Sequence, residues 1–199
     1  MRLFGPVHSQ YVHPRRTEVL SAHLADLLPH GATVVDIGAG DGLIDKKLQD
    51  RRPDLEVTAV EVLVRPVQHV RVEAFDGSRL PHEDESFDAV LLVDVLHHAT
   101  DPLGLLEEAR RVARATIVVK DQMAEGVLAR QTLHLMERLA NTEHGISIPA
   151  QFWSRREWDS AFAEVNLRVE DWRGRLGLYP LPANLVFERG FHFIAHLGV

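Results

Sequence analysis

The stretch Thr33-Val34-Val35-Asp36-Ile37-Gly38-Ala39-Gly40-Asp41-Gly42 decides how the rest of the chain is read. Its first half is a short β-branched run of the kind that suits a strand buried on both faces. Its second half sets glycines at 38, 40 and 42, and Leu43–Arg51 behind them reads as a helix. Glycines between a strand and a helix permit a tight turn and let a ligand approach the backbone closely. The helix that follows offers unpaired N–H groups to a negatively charged ligand group. Twenty-one residues after Gly40 stands Glu61, at the end of the next strand-like run. A carboxylate there can accept both hydroxyl hydrogens of a ribose. An ordinary turn would explain the glycines alone; the pairing with Glu61 favours a nucleotide-binding turn.

Two residues narrow the ligand. A dinucleotide fingerprint asks for glycine or alanine at the sixth position of its motif, which counted from Gly38 is Leu43. Asp36 precedes the first glycine. A carboxylate is unwelcome beside a pyrophosphate and suits the ammonium group of an amino-acid ligand, directly or through water. Both details turn the reading away from an NAD-dependent oxidoreductase.

Outward from this turn, apolar runs alternate with helical segments. Strands are expected at Thr33–Ile37, Leu55–Val60, Val70–Ala74, Ala89–Val95 and Thr116–Val119. Helices are expected at Arg16–Leu28, Leu43–Arg51 and Leu103–Ala113, the last with Asp101-Pro102 as N-cap and first helical residue. Gly126–Ala140 and Trp153–Ala163 read as further helices, and Ser154 with Glu157 has the capping-box spacing. Leu167–Trp172 and Val186–His196 are strand-like, and the loop between them is too short for a helical crossover, so the last strand should run antiparallel. The pattern predicts an α/β fold: a doubly wound, Rossmann-like, mostly parallel seven-stranded sheet with an antiparallel last strand. Helices cover both faces and a helical cap is inserted after strand 5. One domain spans 1–199: an N-terminal cap and helix over 1–30, a cofactor-binding half over 31–121, a substrate cap over 122–163 and the terminal strand pair over 164–199.

Composition removes several classes. The 199 residues, 45% apolar and 26% charged, suit one soluble globular domain. With no cysteine, thiolate metal sites, disulfides and cysteine nucleophiles are absent. A formal net charge of -7 argues against nucleic acid as the main partner. Arg110, Arg111 and Arg114 read as a solvated helix face rather than a phosphate track. No apolar run of about 18 residues is present to span a membrane, and the first residues lack a signal-peptide core. A cytoplasmic monomer or homodimer is the expectation.

These residues together resemble the class I S-adenosylmethionine-dependent methyltransferases, and within them the broad type 11 group that includes the ubiquinone and menaquinone biosynthesis methyltransferases. Val34–Gly42 resembles the family's first motif, and Glu61 its ribose-binding acid. Asp76-Gly77 with Leu80-Pro81 and Ser86-Phe87-Asp88 resembles the segment whose aspartate meets the adenine amino group. Val93-Asp94-Val95-Leu96-His97-His98, followed by Asp101-Pro102, resembles the loop that closes over the methionine end. The resemblance covers Thr33–Lys120 well and the flanks only by the order of elements. It implies S-adenosylmethionine as cofactor, S-adenosylhomocysteine as product, and a cofactor shell of Asp36, Gly38, Ala39, Gly40, Asp41, Gly42, Glu61, Val62, Asp76, Gly77, Asp94, Val95 and His98, with Tyr11 over the methionine end. One departure is that only 15 residues separate Glu61 from Asp76, so the helix expected there shrinks to a turn around Arg65–His69.

Methyl transfer from a sulfonium is an in-line displacement in which alignment supplies much of the acceleration. A general base helps when the acceptor is a hydroxyl. His98, Asp121 and His144 are the candidates, each against a structural alternative: packing near the cofactor for His98, a salt bridge with Lys120 for Asp121, a loop surface for His144. Phe152 and Trp153, with His13 and Arg15, are candidates for a substrate wall, against simple packing of the cap on the sheet. Asp94, His98 and Asp101 have metal-like spacing only on a helix, and here the chain is leaving a strand, so no metal is expected. The acceptor is expected to be a small molecule. A cofactor-binding regulatory module without transfer remains the alternative, because no single residue is an obligatory catalyst.

Overall fold

The computed structural model describes residues 13–134, 150–181, 184, 188 and 190–199. Seven strands form one sheet: β1 (Thr33–Ile37), β2 (Glu56–Glu61), β3 (Val72–Ala74), β4 (Phe87–Val93), β5 (Ala113–Gln122), β6 (Arg168–Arg173) and β7 (His192–Gly198). Their order is β3-β2-β1-β4-β5-β7-β6. β1 lies parallel to β2 and β4, and β4 to β5, while β7 is antiparallel to both β5 and β6. The expected sheet, with its reversed final strand, is therefore the observed one.

Alternation along each strand splits the core between two helical layers. Val35, Val90, Leu92, Ile117, Val119 and Phe193 face one side, where α3 (Pro102–Val112) and α4 (Arg155–Glu164) pack with Leu106, Trp158 and Phe162. Val34, Leu91, Val118 and Ile194 face the other, under α1 (His13–Leu27) and α2 (Leu43–Arg51), with Leu20, Leu24 and Leu48. Asp101 caps α3 by accepting the Gly104 N–H at 2.9 Å, with proline at the first turn. Ser154 and Glu157 close the capping box of α4.

The ends of β5 and β7 differ from expectation, while the interval between β2 and β3 holds, as expected, a turn in place of a helix. β5 reaches Gln122 rather than Val119, because Lys120 and Asp121 are buried with charged partners and continue the strand. β7 runs over His192–Gly198, after Gly190 turns with φ 80°, and residues 186, 187 and 189 of the expected strand lie outside the described residues. Between β2 and β3 no helix forms, and Val62, Leu63 and Val67 stand 51%, 64% and 70% exposed. Of the expected cap helix, residues 129–134 are helical and 135–149 lie outside the described residues. No described helix is long and apolar enough to cross a membrane.

Replacing Ser154 with Ala removes the acceptor for the Glu157 N–H and opens the capping box. It should cost about 1 kcal/mol, read as a lower urea midpoint at unchanged slope.

Candidate functional site

The carboxyl ends of β1, β2, β4 and β5 meet at one edge of the sheet, the edge where ligands bind in such folds. The glycine turn forms its centre. Gly38, Gly40 and Gly42 have φ of 85°, 64° and 72°, a region that side chains with a Cβ avoid. Gly38 and Ala39 donate their N–H groups to the Val60 carbonyl at 2.8 and 3.0 Å, which folds the turn back over β2. A Cβ at Gly38 would meet Val95 Cγ2 at 2.4 Å, and one at Gly42 would meet Val70 Cγ2 at 2.4 Å. Above Gly40 only the end of Arg65 comes near, at 3.5 Å. Among the described residues the backbone is thus pressed closely at Gly38 and Gly42, while at Gly40 it meets only a flexible side-chain end. Asp41 accepts the Leu43 N–H at 3.1 Å and steadies the start of α2.

Glu61 ends β2, and its carboxylate accepts the N–H of Gly40 at 2.9 Å and of Val62 at 2.8 Å. It pins the glycine turn to β2. A carboxylate has about four lone-pair sites, so acceptor capacity remains. Asp76 closes its own turn: Oδ1 accepts from Ser78 and from the Arg79 N–H at 2.9 Å, and these bonds hold its carboxyl below the usual range. Gly77 packs beside Val62, where a Cβ would meet Cγ2 at 3.2 Å. The ends of β2 and β3 therefore border one slot.

At the end of β4 the chain turns through Asp94, φ 58°, whose N–H donates to the Lys120 carbonyl at 2.7 Å. Its carboxylate is ion-paired with both Arg16 of α1 and Lys120 of β5. Burial alone would raise its pKa, but the two cations hold it far below the carboxylate range. Lys120 is fully buried, and burial pushes its pKa down to about 8 despite Asp94. His192 of β7 lies 3.5 Å from the Lys120 ammonium; burial and that cation keep it neutral. Asp94, one of the expected cofactor-shell residues, anchors an ionic link from α1 to β5. Neither Arg16 nor Lys120 carries a motif signal for this.

Asp121, the next residue on β5, points to the opposite face. It does not pair with Lys120. Its carboxylate meets His97 Nδ1 at 2.5 Å and accepts the His97 N–H at 3.3 Å, with both side chains buried. Asp121 is therefore a partner that holds the 3-10 turn Leu96–His98, not a group open to an acceptor. His98 is half-buried, its ring 4.0 Å from that of His97. Phe152 stacks on His97 at 5.8 Å and packs with Ala129, Leu133 and Phe191, joining the cap to this turn. Trp153 lies edge-on to Trp158 at 4.7 Å, against the main core. Arg15 donates to the Gly177 carbonyl. Tyr11 and His144 lie outside the described residues, as does the side chain of His13. Asp94, His97 and Asp121 come within 4.8 Å of one another. Asp94 already carries two cations, so this group reads as a charge network rather than a ligand set.

Over residues 35–118 the chain matches the family model described as a methyltransferase domain. It is 30% identical over 113 residues to the ubiquinone biosynthesis O-methyltransferase of Xanthomonas campestris pv. campestris, covering 51% of this chain and 44% of that protein. The chain spans less than half the length of the curated relatives it matches. A methyltransferase of Haloferax volcanii, solved in complex with the Trm112 methyltransferase activator, superposes with a TM-score of 0.70 at 22% identity, over 94% of this chain and 91% of that one. A SAM-dependent methyltransferase of Aquifex aeolicus gives 0.65 at 18% identity, over 96% of each chain.

The buried lysine has a pH signature. Its pKa of about 8 in the fold lies below its value of about 10.4 in the unfolded chain, which therefore holds more protons between these limits. Stability from this group should rise with pH through that window, by up to about 3 kcal/mol. The stability difference between wild type and Lys120→Met, followed by urea unfolding from pH 7.5 to 10.5, should show it; a flat difference would contradict the burial of a charged lysine.

Proposed function

We propose that the chain, whose residues 35–118 match a methyltransferase domain and whose fold is that of SAM-dependent methyltransferases, is a class I S-adenosylmethionine-dependent methyltransferase and methylates a hydroxyl of a small-molecule acceptor. One observation carries the cofactor half of this reading: the glycine turn is compressed by Val95 and Val70, while at Gly40 only the end of the Arg65 side chain is in contact among the described residues, with Glu61 behind it. The residues fit the group. Glu61 keeps acceptor capacity for ribose hydroxyls, Val62 and Asp76-Gly77 border the adenine side, and Asp36 Oδ1 is buried with no donor. S-adenosylmethionine supplies an electrophilic methyl group on a sulfonium. The chain's own task is to align the acceptor and take its proton.

For that proton the geometry favours His98 over Asp121. Asp121 is buried and spent on His97, whereas His98 is half-buried on the same short turn. The His97–Asp121 bond fixes that turn, and the close His97–His98 ring contact limits where His98 can go. An oxygen acceptor is supported by the O-methyltransferase names of the curated relatives. Phe152, stacked on His97, would form the apolar wall.

A second reading adds a protein partner. Val62, Leu63 and Val67 are exposed beside β3, the edge strand, and the Haloferax neighbour was solved with an activator. Turnover by the chain purified alone would count against any need for one.

Calorimetry with S-adenosylmethionine and S-adenosylhomocysteine tests the reading. Both should bind, and Glu61→Ala should weaken them about tenfold or more, as loss of a charged hydrogen-bond acceptor does. Failure of both to bind wild type would refute it. With an acceptor in hand, His98→Ala should lower kcat about 10²- to 10⁴-fold and remove the acidic limb of the pH–rate profile. An unchanged profile would exclude His98 as base.

A further inference from the structure

Asp36 and Asp45 form a buried pair of acids beneath the glycine turn. Asp36 is the penultimate residue of β1 and Asp45 lies in the first turn of α2, so the turn joins the two. They are 2% and 0% exposed. No N–H or O–H donor reaches Asp36 Oδ1 or either oxygen of Asp45. The two carboxyls instead lie close enough that each bears directly on the ionisation of the other. Ionised carboxyls only accept, so a hydrogen bond between them needs a proton.

The surroundings favour keeping it. Burial is the largest effect on both groups; Glu61 adds to it at Asp36 and Asp41 at Asp45. Asp36 is held well above the carboxylate range and Asp45 is pushed up to about 6, and the two behave as one titrating unit. No nearby cation offsets them among the described ion pairs. On α2, Lys46 is paired with Asp50 and Lys47 with Glu18 of α1; Arg65 lies 3.9 Å from Asp41. The strand neighbours of Asp36 in register are Ala59 on β2 and Leu91 on β4, both uncharged. The glycine turn thus rests on two neighbouring buried acids with unspent acceptor oxygens and, among the described residues, no counter-charge.

We propose that Asp45, paired with Asp36, is a positioning residue for the amino-acid end of the cofactor: arrival of its ammonium group completes the ionisation of the pair, and the proton the pair held leaves to solvent. This rests on the cofactor reading above. One proton is released for each cofactor bound at a pH where the free pair still holds it. By linkage, binding tightens as pH rises through that range, by up to about tenfold per unit.

The full-length chain serves for the test, with S-adenosylhomocysteine as the probe because it keeps the ammonium group. Calorimetry at pH 6.5 in buffers of different ionisation enthalpy should give close to one proton released. Methylthioadenosine, which lacks the amino-acid end, should bind without release. Asp45→Asn supplies a side-chain donor to an ionised Asp36, so it should still bind S-adenosylhomocysteine while release falls to near zero; Asp45→Thr should do the same. Equal release by wild type and Asp45→Asn, or release with methylthioadenosine, would overturn the proposal. Carbon-13 titration of labelled aspartate in the free protein provides the second arm. It should show one carboxyl titrating well above the normal range, returned towards it in Asp45→Asn. Ordinary titration of both acids would overturn the pair itself. An elevated titration without any binding of S-adenosylhomocysteine would instead overturn the cofactor reading, and the linkage with it.

Discussion

A carboxylate half-buried just beyond β4 has to be neutralised, and the site depends on how that is done. Removing an ion from water costs several kcal/mol unless a partner of opposite charge and good geometry replaces the solvent. Asp94 has two such partners, Lys120 from the neighbouring strand and Arg16 from the first helix. The same residue has φ 58°, so the chain bends sharply there. Val95 is thereby delivered against Gly38, and Leu96–His98 onto Asp121. One ionic cluster sets the position of α1, the shape of the β4 loop and one wall of the glycine turn.

Strand alternation explains why the charges at this edge do not cancel one another. Lys120 and Asp121 are adjacent in sequence, yet a period of two sends them to opposite faces. On the α1 side Lys120 meets Asp94; on the α3 side Asp121 meets His97. Each face satisfies its own ions, which lets β5 remain a strand for ten residues despite three buried polar residues at its end. Insertion of β7 between β5 and β6 covers this stretch. It supplies Phe193, stacked on Trp172 at 4.2 Å, on one side and the neutral His192 on the other.

Local signals were legible in the sequence to the extent that their physics is local. The β1–glycine–α2 unit, the Asp101-Pro102 start of α3 and the Ser154–Glu157 box each sit within a few residues, and each is found where expected. The antiparallel last strand followed from a loop too short for a crossover. Boundaries set by tertiary partners were not legible. Nothing near Lys120 announces that Asp94, 26 positions earlier, will bury it. The expected Lys120–Asp121 pair failed because adjacency on a strand separates side chains. Asp121 read as a possible base because its position at the sheet edge was visible and its commitment to His97 was not. Asp45 passed unnoticed because its identity matters only once the turn brings it back to Asp36.

That last pair also bears on which nucleotide the turn accepts. A pyrophosphate on the N-terminus of α2 would gain from the helix's free N–H groups. Here it would face Asp36, Asp45, Asp41 and Glu61, with Arg65 as the one cation placed against the turn among the described residues. Burial favours a proton on Asp36 and on Asp45, and any ionisation of either repels a phosphate. A ligand that presents an ammonium group instead reverses the sign of every one of these terms. The turn geometry common to nucleotide-binding sheets is therefore kept, while the charge beneath it selects for a cationic end and against a dinucleotide.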